Sequence, residues 1–373
     1  MSGESATGSA ILGLFRQCEE RFKAIKAIEV AADVESVVAA MRAHGGSPGV
    51  QVAACCVLTN LTFNDADNRT RARTAGAVEA VAAAMRACAG SAGVQEKACR
   101  TLRCLTINDA NNRTRAGIAG AVKAVAVAMR THPGSADVQE AACAALRNLT
   151  INDAENKNRA GTAGAVEAVV AAMRAHANDA VVQARACGAL RNLTKGGAEA
   201  EDSRTRAGDA GAIEATVAAM LAHAANEDLQ ERACGVLRNL TTSSVQNENR
   251  ACNAGAIEAI VAAMSVHADC ALVQNTASIA MRNLTSGNAK STSRAGLSGA
   301  IETLVEAMRR HTRSPGVQSS ACVALYLLTE DNVENKARAL HEGAKRLAKA
   351  ALKAHPSNKR VVREARDLLT QIG

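Results

Sequence analysis

Aromatic residues are almost missing from this sequence: its 373 residues include no Trp, one Tyr and three Phe, although 48% of them are hydrophobic. The apolar fraction is therefore almost all Ala, Val, Leu, Ile and Met. With only four prolines, this composition favours a helical chain and argues against an extensive sheet. No apolar stretch approaches the roughly 18 residues of a membrane-spanning helix, so we expect no transmembrane segment and no membrane partner.

Signals for export, metal binding and catalysis are also missing. The N-terminus has no basic region followed by an apolar core, which predicts no secretory leader, and Ser2 stands where N-myristoylation requires Gly. The 12 cysteines include no C-x-x-C pair, which indicates reduced thiols in the cytoplasm or the nucleus. No metal-ligand spacing, phosphate-binding loop or hydrolase motif is present, so we expect no metal, no cofactor and no enzymatic activity.

The sequence does contain a repeat. A Met within a segment like Ala-Met-Arg-Ala-His recurs at intervals of 44 residues, with one interval of 47, and Leu352 takes the eighth place. Residues 120–150 and 164–194 agree at 20 of 31 positions. Units this similar predict stacked helical repeats, because none of them could bury its apolar face alone. The repeated methionines are Met41, Met85, Met129, Met173, Met220, Met264 and Met308.

Each unit carries signals for three helices. In the third unit, Asn112 is the predicted N-cap of a short first helix, and Gly120 marks the bend into a second helix from Ala121 to His132. A third helix is predicted from about 136 to 150, because apolar residues recur there at spacings of three and four. The bend glycine recurs at Gly76, Gly164, Gly211, Gly255, Gly299 and Gly343.

Two segments of the fourth unit resemble the armadillo repeat. They are Gly-Ala-Val-Glu-Ala-Val-Val-Ala-Ala-Met at 164–173 and Val-Gln-Ala-Arg-Ala-Cys-Gly-Ala-Leu-Arg-Asn-Leu-Thr at 182–194. The family pattern has a bend Gly before the second helix and an Asn near the end of the third, and the short first helix distinguishes it from the two-helix HEAT unit. The resemblance covers about residues 27–373. It implies an all-α fold, a right-handed α-solenoid of about seven three-helix repeats with a cap at each end.

The predicted organisation has four parts. We expect a disordered stretch over 1–9, a capping helix over 10–26, repeats 1–7 over 27–342 and a basic capping repeat over 343–373. The last part holds eight Lys or Arg against two acidic residues, a balance of +6 in a chain whose net charge is +8. The remaining 342 residues are nearly neutral, and aromatic stacking residues are scarce, so no nucleic-acid partner is expected.

Histidine and cysteine recur at fixed positions, which favours structural roles. A His stands three residues after most of the repeated methionines, and a Cys recurs on the apolar face of the third helices. A catalytic residue is not needed seven times, so we interpret the histidines as helix-end residues near carbonyl groups and the cysteines as small core residues. The histidines are His44, His132, His176, His223, His267, His311 and His355, and the cysteines are Cys55, Cys99, Cys143, Cys187, Cys234 and Cys322.

An Asn column near the end of the third helix is the strongest candidate for ligand binding. An amide inside a helix needs partners for two donors and an acceptor. In armadillo proteins the corresponding Asn lines the concave groove and hydrogen-bonds the main chain of an extended peptide, and the resemblance implies the same role here. The alternative is that each Asn satisfies a neighbouring backbone group of its own chain. The column consists of Asn60, Asn148, Asn192, Asn239 and Asn283, with Cys104 and Leu327 as replacements.

Basic residues on the same helices indicate the class of ligand. Importin-α-like members have Trp four residues before the Asn, and this chain has none; its basic residues resemble instead the β-catenin side of the family, whose groove takes acidic segments. The alternative is that these arginines pair with acidic neighbours such as Glu96, Glu140 and Glu231. Arg103, Arg147, Arg191, Arg238 and Arg282 directly precede the Asn position, and Lys97, Arg185 and Arg232 lie seven residues before it.

A second basic column lies five residues before each bend glycine. It is unbroken over seven units, and such regularity favours bonding between repeats over ligand selectivity. Its members are Arg71, Arg115, Arg159, Arg206, Arg250, Arg294 and Arg338.

The sequence thus predicts a monomeric, non-enzymatic protein–protein interaction scaffold in the cytoplasm or the nucleus. Its expected ligand is an extended, acidic peptide segment of a partner protein, bound through the Asn column and the flanking arginines. The alternatives are a nuclear-transport adaptor and a membrane- or vacuole-associated armadillo adaptor. The close similarity between units is also compatible with a consensus-like array that has no evolved ligand.

Overall fold

The computed structural model describes most of the chain, namely residues 17, 19–31, 33–197 and 200–373. The chain divides into two compact units, Met1–Ala175 and His176–Gly373. Within the described residues no strand is present and helices make up the regular structure, which confirms the predicted all-α fold. None of the described helices is long and apolar enough to cross a bilayer.

A helix covers residues 19–29 (α1) of the first unit and overlaps the predicted N-terminal cap of residues 10–26, which it passes by three residues. Residues 10–16 and Cys18 of that cap, and the stretch 1–9, lie outside the described residues. The other helices of this unit are α2 Val34–Ala43, α3 Pro48–Thr62, α4 Ala66–Ala75, α5 Ala77–Ala87, α6 Ala92–Thr106, α7 Ala110–Ile118, α8 Ala121–Thr131, α9 Ala136–Thr150, α10 Ala154–Thr162 and α11 Ala165–Ala175.

The second unit continues the same order of helices. Its helices are α12 Ala180–Leu193, α13 Glu201–Asp209, α14 Ala212–Ala222, α15 Glu227–Leu240, α16 Val245–Asn253, α17 Ala256–Val266, α18 Ala271–Thr285, α19 Ala289–Leu297, α20 Ala300–Arg310, α21 Pro315–Thr329, α22 Val333–His341, α23 Ala344–Ala354 and α24 Lys359–Ile372.

Within each unit, the repeats stack by packing the third helix of one repeat on the third helix of the next. In the first unit α6 packs between α3 and α9, and in the second unit α12, α15, α18, α21 and α24 pack in that order. The apolar residues of the second and third helices fill the space between them: Val138, Cys143 and Leu146 of α9 are fully buried. Apolar residues spaced three and four positions apart are predicted to lie on one face of a helix, and that face is the one that is buried.

The third helix of the third repeat spans Ala136–Thr150, which confirms its prediction. The cap of the first helix was predicted wrongly. Asp109, not Asn112, is the N-cap of α7, and its carboxylate accepts the Asn112 backbone N–H at 2.9 Å. Asn108 takes a left-handed φ of 52° and Asp109 an extended one, which lets the Asp side chain fold back onto the first turn. Asn112 is instead fully buried and donates to Leu105 O at 2.8 Å.

Bend glycines join the first and second helices as predicted. Gly120 has φ 79°, in the left-handed region that glycine enters without strain because it has no Cβ atom. It closes the end of α7 and directly precedes α8. The equivalent glycines of the other units also have positive φ values, so one backbone device is repeated along the chain.

A glutamine near the start of the third helices α3 to α21 completes the end of the second helix, and Val362 takes its place on α24. Gln139 donates from Nε2 to Met129 O and to His132 O, both at 2.9 Å. The last carbonyls of a helix have no partner within it, so this side chain satisfies groups that burial would otherwise leave unpaired. Gln51, Gln95, Gln230, Gln274 and Gln318 make the same pair of bonds.

The recurrent histidines join neighbouring repeats. His132 follows α8, and its Nε2 lies 2.8 Å from the carbonyl oxygen of Ala89 in the repeat before. His223, His267, His311 and His355 make the equivalent contact. Their place at helix ends beside carbonyl groups agrees with the structural interpretation.

First helices stack through a glycine and an asparagine. Asn156 of α10 is fully buried and donates to Arg113 O of α7 at 2.9 Å. A Cβ atom on Gly117 would lie 1.8 Å from Asn156 Oδ1, so the amide lies directly against the glycine. Further along the chain Cys252 replaces the glycine and Ser291 replaces the asparagine, and their side chains are hydrogen-bonded at 2.8 Å.

The second arginine column forms ion pairs between repeats, which confirms its prediction. Arg115 on α7 lies 2.7 Å from Glu79 on α5, and its Nη1 also donates to Arg73 O of α4. The same pairing joins Arg71 to Glu35, Arg294 to Glu258 and Arg338 to Glu302. Arg159 is an exception, because it pairs with Glu155 of its own helix at 3.1 Å.

Candidate functional site

The predicted asparagines lie at equivalent positions on the third helices, but their exposure differs. Asn60 on α3 is exposed, and Asn148 and Asn192 are half-buried. Asn239 on α15 and Asn283 on α18 are each only 8% exposed. A bound chain could therefore reach Asn60 directly, whereas the last two amides are almost covered by their own repeats.

Asn148, Asn239 and Asn283 each bond to the neighbouring repeat. The Nδ2 atoms of Asn239 and Asn283 each lie 2.9 Å from a carbonyl oxygen on the preceding third helix, those of Arg191 and Arg238. Asn148 makes the same bond to Arg103 O at 3.2 Å. These carbonyls belong to the last turns of their helices, where intrahelical partners end. The asparagines thus cap the third helix of the repeat before, as the alternative interpretation of the column proposed.

The amide oxygens have a different partner. Asn283 Oδ1 accepts from Nη2 of Arg282 at 2.8 Å, and Asn239 Oδ1 accepts more weakly from Arg238 at 3.3 Å. Asn60 has no such side-chain bond among the described residues. The asparagine and the arginine before it therefore form one local unit in the fifth and sixth repeats.

Arg191 shows how an arginine of this column is neutralised within the chain. Its Nη1 lies 2.8 Å from Glu231 Oε2 on α15, the next third helix. The side chain crosses α15 at Gly235, where a Cβ atom would lie 2.7 Å from Arg191 Nε. The small residue at the position of the importin-type Trp thus makes room for an ion pair between repeats. For Arg191 the structure supports pairing with an acidic neighbour.

Arg238 and Arg282 have no such carboxylate. The positions on α18 and α21 that correspond to Glu231 are Asn275 and Ser319. Both arginines are half-buried, and neither forms an ion pair within the described part of the chain. Burial lowers the pKa of both guanidinium groups. Arg191 adds to this lowering for Arg238 and Arg360 adds to it for Arg282, whereas the carboxylates of Glu231 and Glu364, which form no ion pair with them, oppose it. Two half-buried positive charges thus lie on adjacent third helices with only neutral acceptors.

The other predicted basic residues are distributed differently. Lys97 contacts Glu96 at 3.0 Å, and Arg232 contacts Asp228 at 2.7 Å. Arg103 is half-buried and forms no side-chain bond to the described residues, while Arg100 on the same helix bridges Glu96 and Glu140 at 2.9 and 3.2 Å. The remaining predicted site residues Arg147 and Arg185 are half-buried on α9 and α12.

The recurrent cysteines provide no catalytic thiol. Burial raises the pKa of Cys55 and of Cys234 to about 12, far from the lowered values of nucleophilic cysteines. Within the described residues no group of His, Cys, Asp and Glu has a metal-binding arrangement.

Sequence reasoning missed the buried glutamines and the asparagines of the first helices. Gln139 and Asn156 both donate to two carbonyls in the protein interior. Their recurrence at intervals of 44 residues was the available signal. It could not have identified the partners, because these depend on how neighbouring repeats pack.

The geometry agrees with comparisons to known proteins. Solved structures with the same fold include three engineered proteins from the Northeast Structural Genomics Consortium. The first shares 24% identity over 93% of this chain and 80% of its own, with a TM-score of 0.77. The other two share 27% and 22% identity over 67% and 68% of this chain and 98% and 96% of their own, with TM-scores of 0.58 and 0.57.

Sequence comparisons identify the family. None of the curated proteins matches the chain. The family model described as LRRK2 ARM repeat matches residues 122–371, which is about two thirds of the sequence and includes the repeats whose third helices carry Arg238 and Arg282. Together with the stacked three-helix units, this match shows that the chain belongs to the armadillo repeat family represented by the LRRK2 ARM repeat.

Proposed function

We propose that this armadillo-repeat protein is a non-enzymatic interaction scaffold that binds an extended, acidic segment of a partner protein along its third helices. The armadillo fold supports a protein-interaction role in general. The observation that carries the specific proposal is the pair Arg238 and Arg282, half-buried on adjacent third helices without a carboxylate partner.

The chain itself indicates which group suits these arginines. Arg191 occupies the same position one repeat earlier and binds the Glu231 carboxylate. A ligand carboxylate would give Arg238 and Arg282 the charge-assisted bonds that Asn275 and Ser319 do not supply. Such bonds are about twice as strong as neutral ones, so a carboxylate would displace the amide oxygen as acceptor.

The asparagines can take part in the same event. When a ligand carboxylate binds Arg282, the Asn283 Oδ1 atom becomes available to accept a main-chain N–H, while its Nδ2 keeps the bond to Arg238 O. We propose this exchange for Asn239 as well, and a direct contact for the exposed Asn60. The predicted peptide role of the column is thereby compatible with its capping role.

Helix packing sets the expected ligand pattern. Adjacent helices lie roughly 8–10 Å apart, and an extended chain advances roughly 3.3 Å per residue. Acidic residues two or three positions apart would therefore reach Arg238 and Arg282 together. We expect a segment with two or more carboxylates at this spacing to bind better than one with a single carboxylate.

Fluorescence anisotropy with a labelled acidic peptide of this pattern tests the proposal. Arg238→Gln and Arg282→Gln should each weaken binding about tenfold to a hundredfold, since a hydrogen bond to a charged group is worth about 1.5–3 kcal/mol. Arg313→Gln is the matched control, because it removes an exposed charge outside the third helices. Equal affinity of the three variants and the parent protein would contradict the proposal.

A reducing compartment suits this chain. Cys55, Cys99 and Cys143 are buried free thiols in the core of one stack. We therefore propose the cytoplasm or the nucleus as its location.

A further inference from the structure

A carboxylate lies beside the bend glycine in the repeats on either side of the third. A Cβ atom on Gly76 would lie 2.5 Å from Arg42 Nη2 and 3.5 Å from Glu79 Oε2. Glu79 is also paired with Arg115 of the following first helix at 2.7 Å. Glu79 thus pairs with the guanidinium group of Arg115, while Arg42 on the other side of the bend glycine donates to Ala75 O at 2.7 Å. The same arrangement recurs at Gly164, where Arg130 Nη1 and Glu167 Oε2 lie 3.5 and 3.7 Å from the equivalent position.

The third repeat keeps the cations and lacks the carboxylate. Lys123 occupies the position of Glu79. Arg86 still lies beside the bend glycine, 3.6 Å from a Cβ atom on Gly120, and Arg159 takes the place of Arg115 but pairs with Glu155 of its own helix. Lys123 is exposed and has no side-chain bond to the described residues. These three positions therefore all carry positive side chains in the third repeat, whereas in the preceding repeat they carry two arginines and a carboxylate.

An apolar crevice opens next to these cations. It has a volume of about 290 Å³ between α5 and α8. Its wall includes Met85, Ala124, Val127 and Ala128, and its rim includes Arg86 and Lys123. Pockets for drug-sized ligands begin at about 300 Å³, so this space suits one or two side chains of a larger molecule. The crevice lies on the second helices, away from the asparagines and arginines of the third helices.

The second unit contains an equivalent crevice whose rim carries two glutamates and Arg310. Its volume is about 320 Å³, and it is lined by Met264 and Ala307 at the positions of Met85 and Ala128. Glu302 stands at the position of Lys123, and Glu306 at that of Val127. A crevice therefore forms whichever charge its rim carries, and the basic rim of the first is not a requirement of the fold.

We propose that the crevice between α5 and α8 is a second docking site, which binds a short segment of a partner protein carrying an apolar side chain beside a carboxylate. The carboxylate takes the position that Glu79 and Glu167 fill in the adjacent repeats, between Arg86 and Lys123. The apolar side chain enters the space lined by Met85 and Val127. This site is independent of the one on the third helices, because it uses other residues on another set of helices.

The test uses the full chain with ¹³C-methyl-labelled methionine, because Met85 lies in the wall of the crevice. The probe is a capped peptide with leucine next to aspartate, and its control replaces that aspartate with asparagine. We expect the Met85 methyl signal to shift saturably with the aspartate peptide and at least about tenfold more weakly with the control, a difference of about 1.4 kcal/mol. Inorganic phosphate alone should leave this signal unchanged.

One variant decides whether the rim charge is responsible. Lys123→Glu supplies the carboxylate found in the neighbouring repeats, so it should abolish the shift while the protein stays folded, with a thermal midpoint at or above that of the parent. An unchanged Met85 signal at saturating peptide, an equal response in Lys123→Glu, or an equal response to phosphate or the asparagine peptide would overturn the proposal.

Discussion

The contact between Gly117 and Asn156 predicts a pair of compensating substitutions. Gly117→Cys places a Cβ atom where it would lie 1.8 Å from Asn156 Oδ1, so the amide must leave its place. Asn156 then loses its bonds to Arg113 O and Leu149 O, both 2.9 Å long. Leu149 O lies in the last turn of α9 and has no helical partner to replace the amide.

Each single substitution should lower the free energy of unfolding. In Asn156→Ser the shorter side chain no longer reaches the carbonyl groups that the amide binds. A buried carbonyl is left unpaired, which lowers the free energy of unfolding by about 1–3 kcal/mol. Gly117→Cys causes a similar loss through displacement and overpacking, again about 1–3 kcal/mol. Because both substitutions remove the same hydrogen bonds, the double variant loses their contribution to the free energy of unfolding only once. Its cysteine and serine can also form the bond seen between Cys252 and Ser291 at 2.8 Å.

Urea unfolding followed by far-ultraviolet circular dichroism measures this coupling. Hydrogen exchange on α7 and α10 shows whether the stability is lost at these helices. This second measurement is needed because a repeat array does not always unfold in one step. We expect the double variant to be at least as stable as the less stable single variant, with a coupling of about 1–3 kcal/mol. Losses that add to within about 0.5 kcal/mol would refute the reasoning.

Further predictions concern ion pairs and thiols. The hydrogen bond from Arg71 lowers the pKa of Glu35 below its ordinary value of 4.5, so the stability it contributes is present above that value and is lost as pH falls through the lowered pKa. The thermal midpoint of Glu35→Gln should lie below that of the parent protein at pH 6 and converge with it in acid; a constant gap would contradict this. Native alkylation read by mass spectrometry should modify half-buried Cys56 before Cys55, whose pKa burial raises to about 12; equal rates would indicate that the core opens readily.

Periodicity predicted local structure well, because each helix encodes its own signals. The bounds of α9 follow from its apolar spacing and from Ser135, whose side chain caps the helix at Val138 N. Gly120 was identified as a bend because glycine adopts a left-handed conformation more readily than any other residue. The arginines before the bend glycines revealed a shared structural role, since Arg115 and its equivalents vary so little.

Partner choice at the candidate site could not be read from periodicity. An amide at the position of Asn239 could bind the main chain of a ligand or the carbonyl group of Arg191, as it does here. Both roles would produce the same recurring asparagine in the sequence. The cap of α7 was misassigned because Asp109 and Asn112 both suit that role, and only the left-handed Asn108 decides between them. Lys123 was detectable as a basic residue in a column that is otherwise glutamate apart from Arg346 in the last unit, but its significance depends on the crevice beside it.

Most hydrogen bonds between repeats have their donor in the later repeat and their acceptor in the earlier one. In most of them the later repeat donates to a carbonyl of the earlier one, as Asn148 does to Arg103 O, His132 to Ala89 O and Asn156 to Arg113 O. Removing a later repeat would leave carbonyl groups without their donors, and these carbonyls cannot reorient because they belong to a helix. Removing an earlier repeat would instead release flexible donor side chains that water can solvate. Trimming repeats from the C-terminal side should therefore be more damaging than trimming the same number from the N-terminal side.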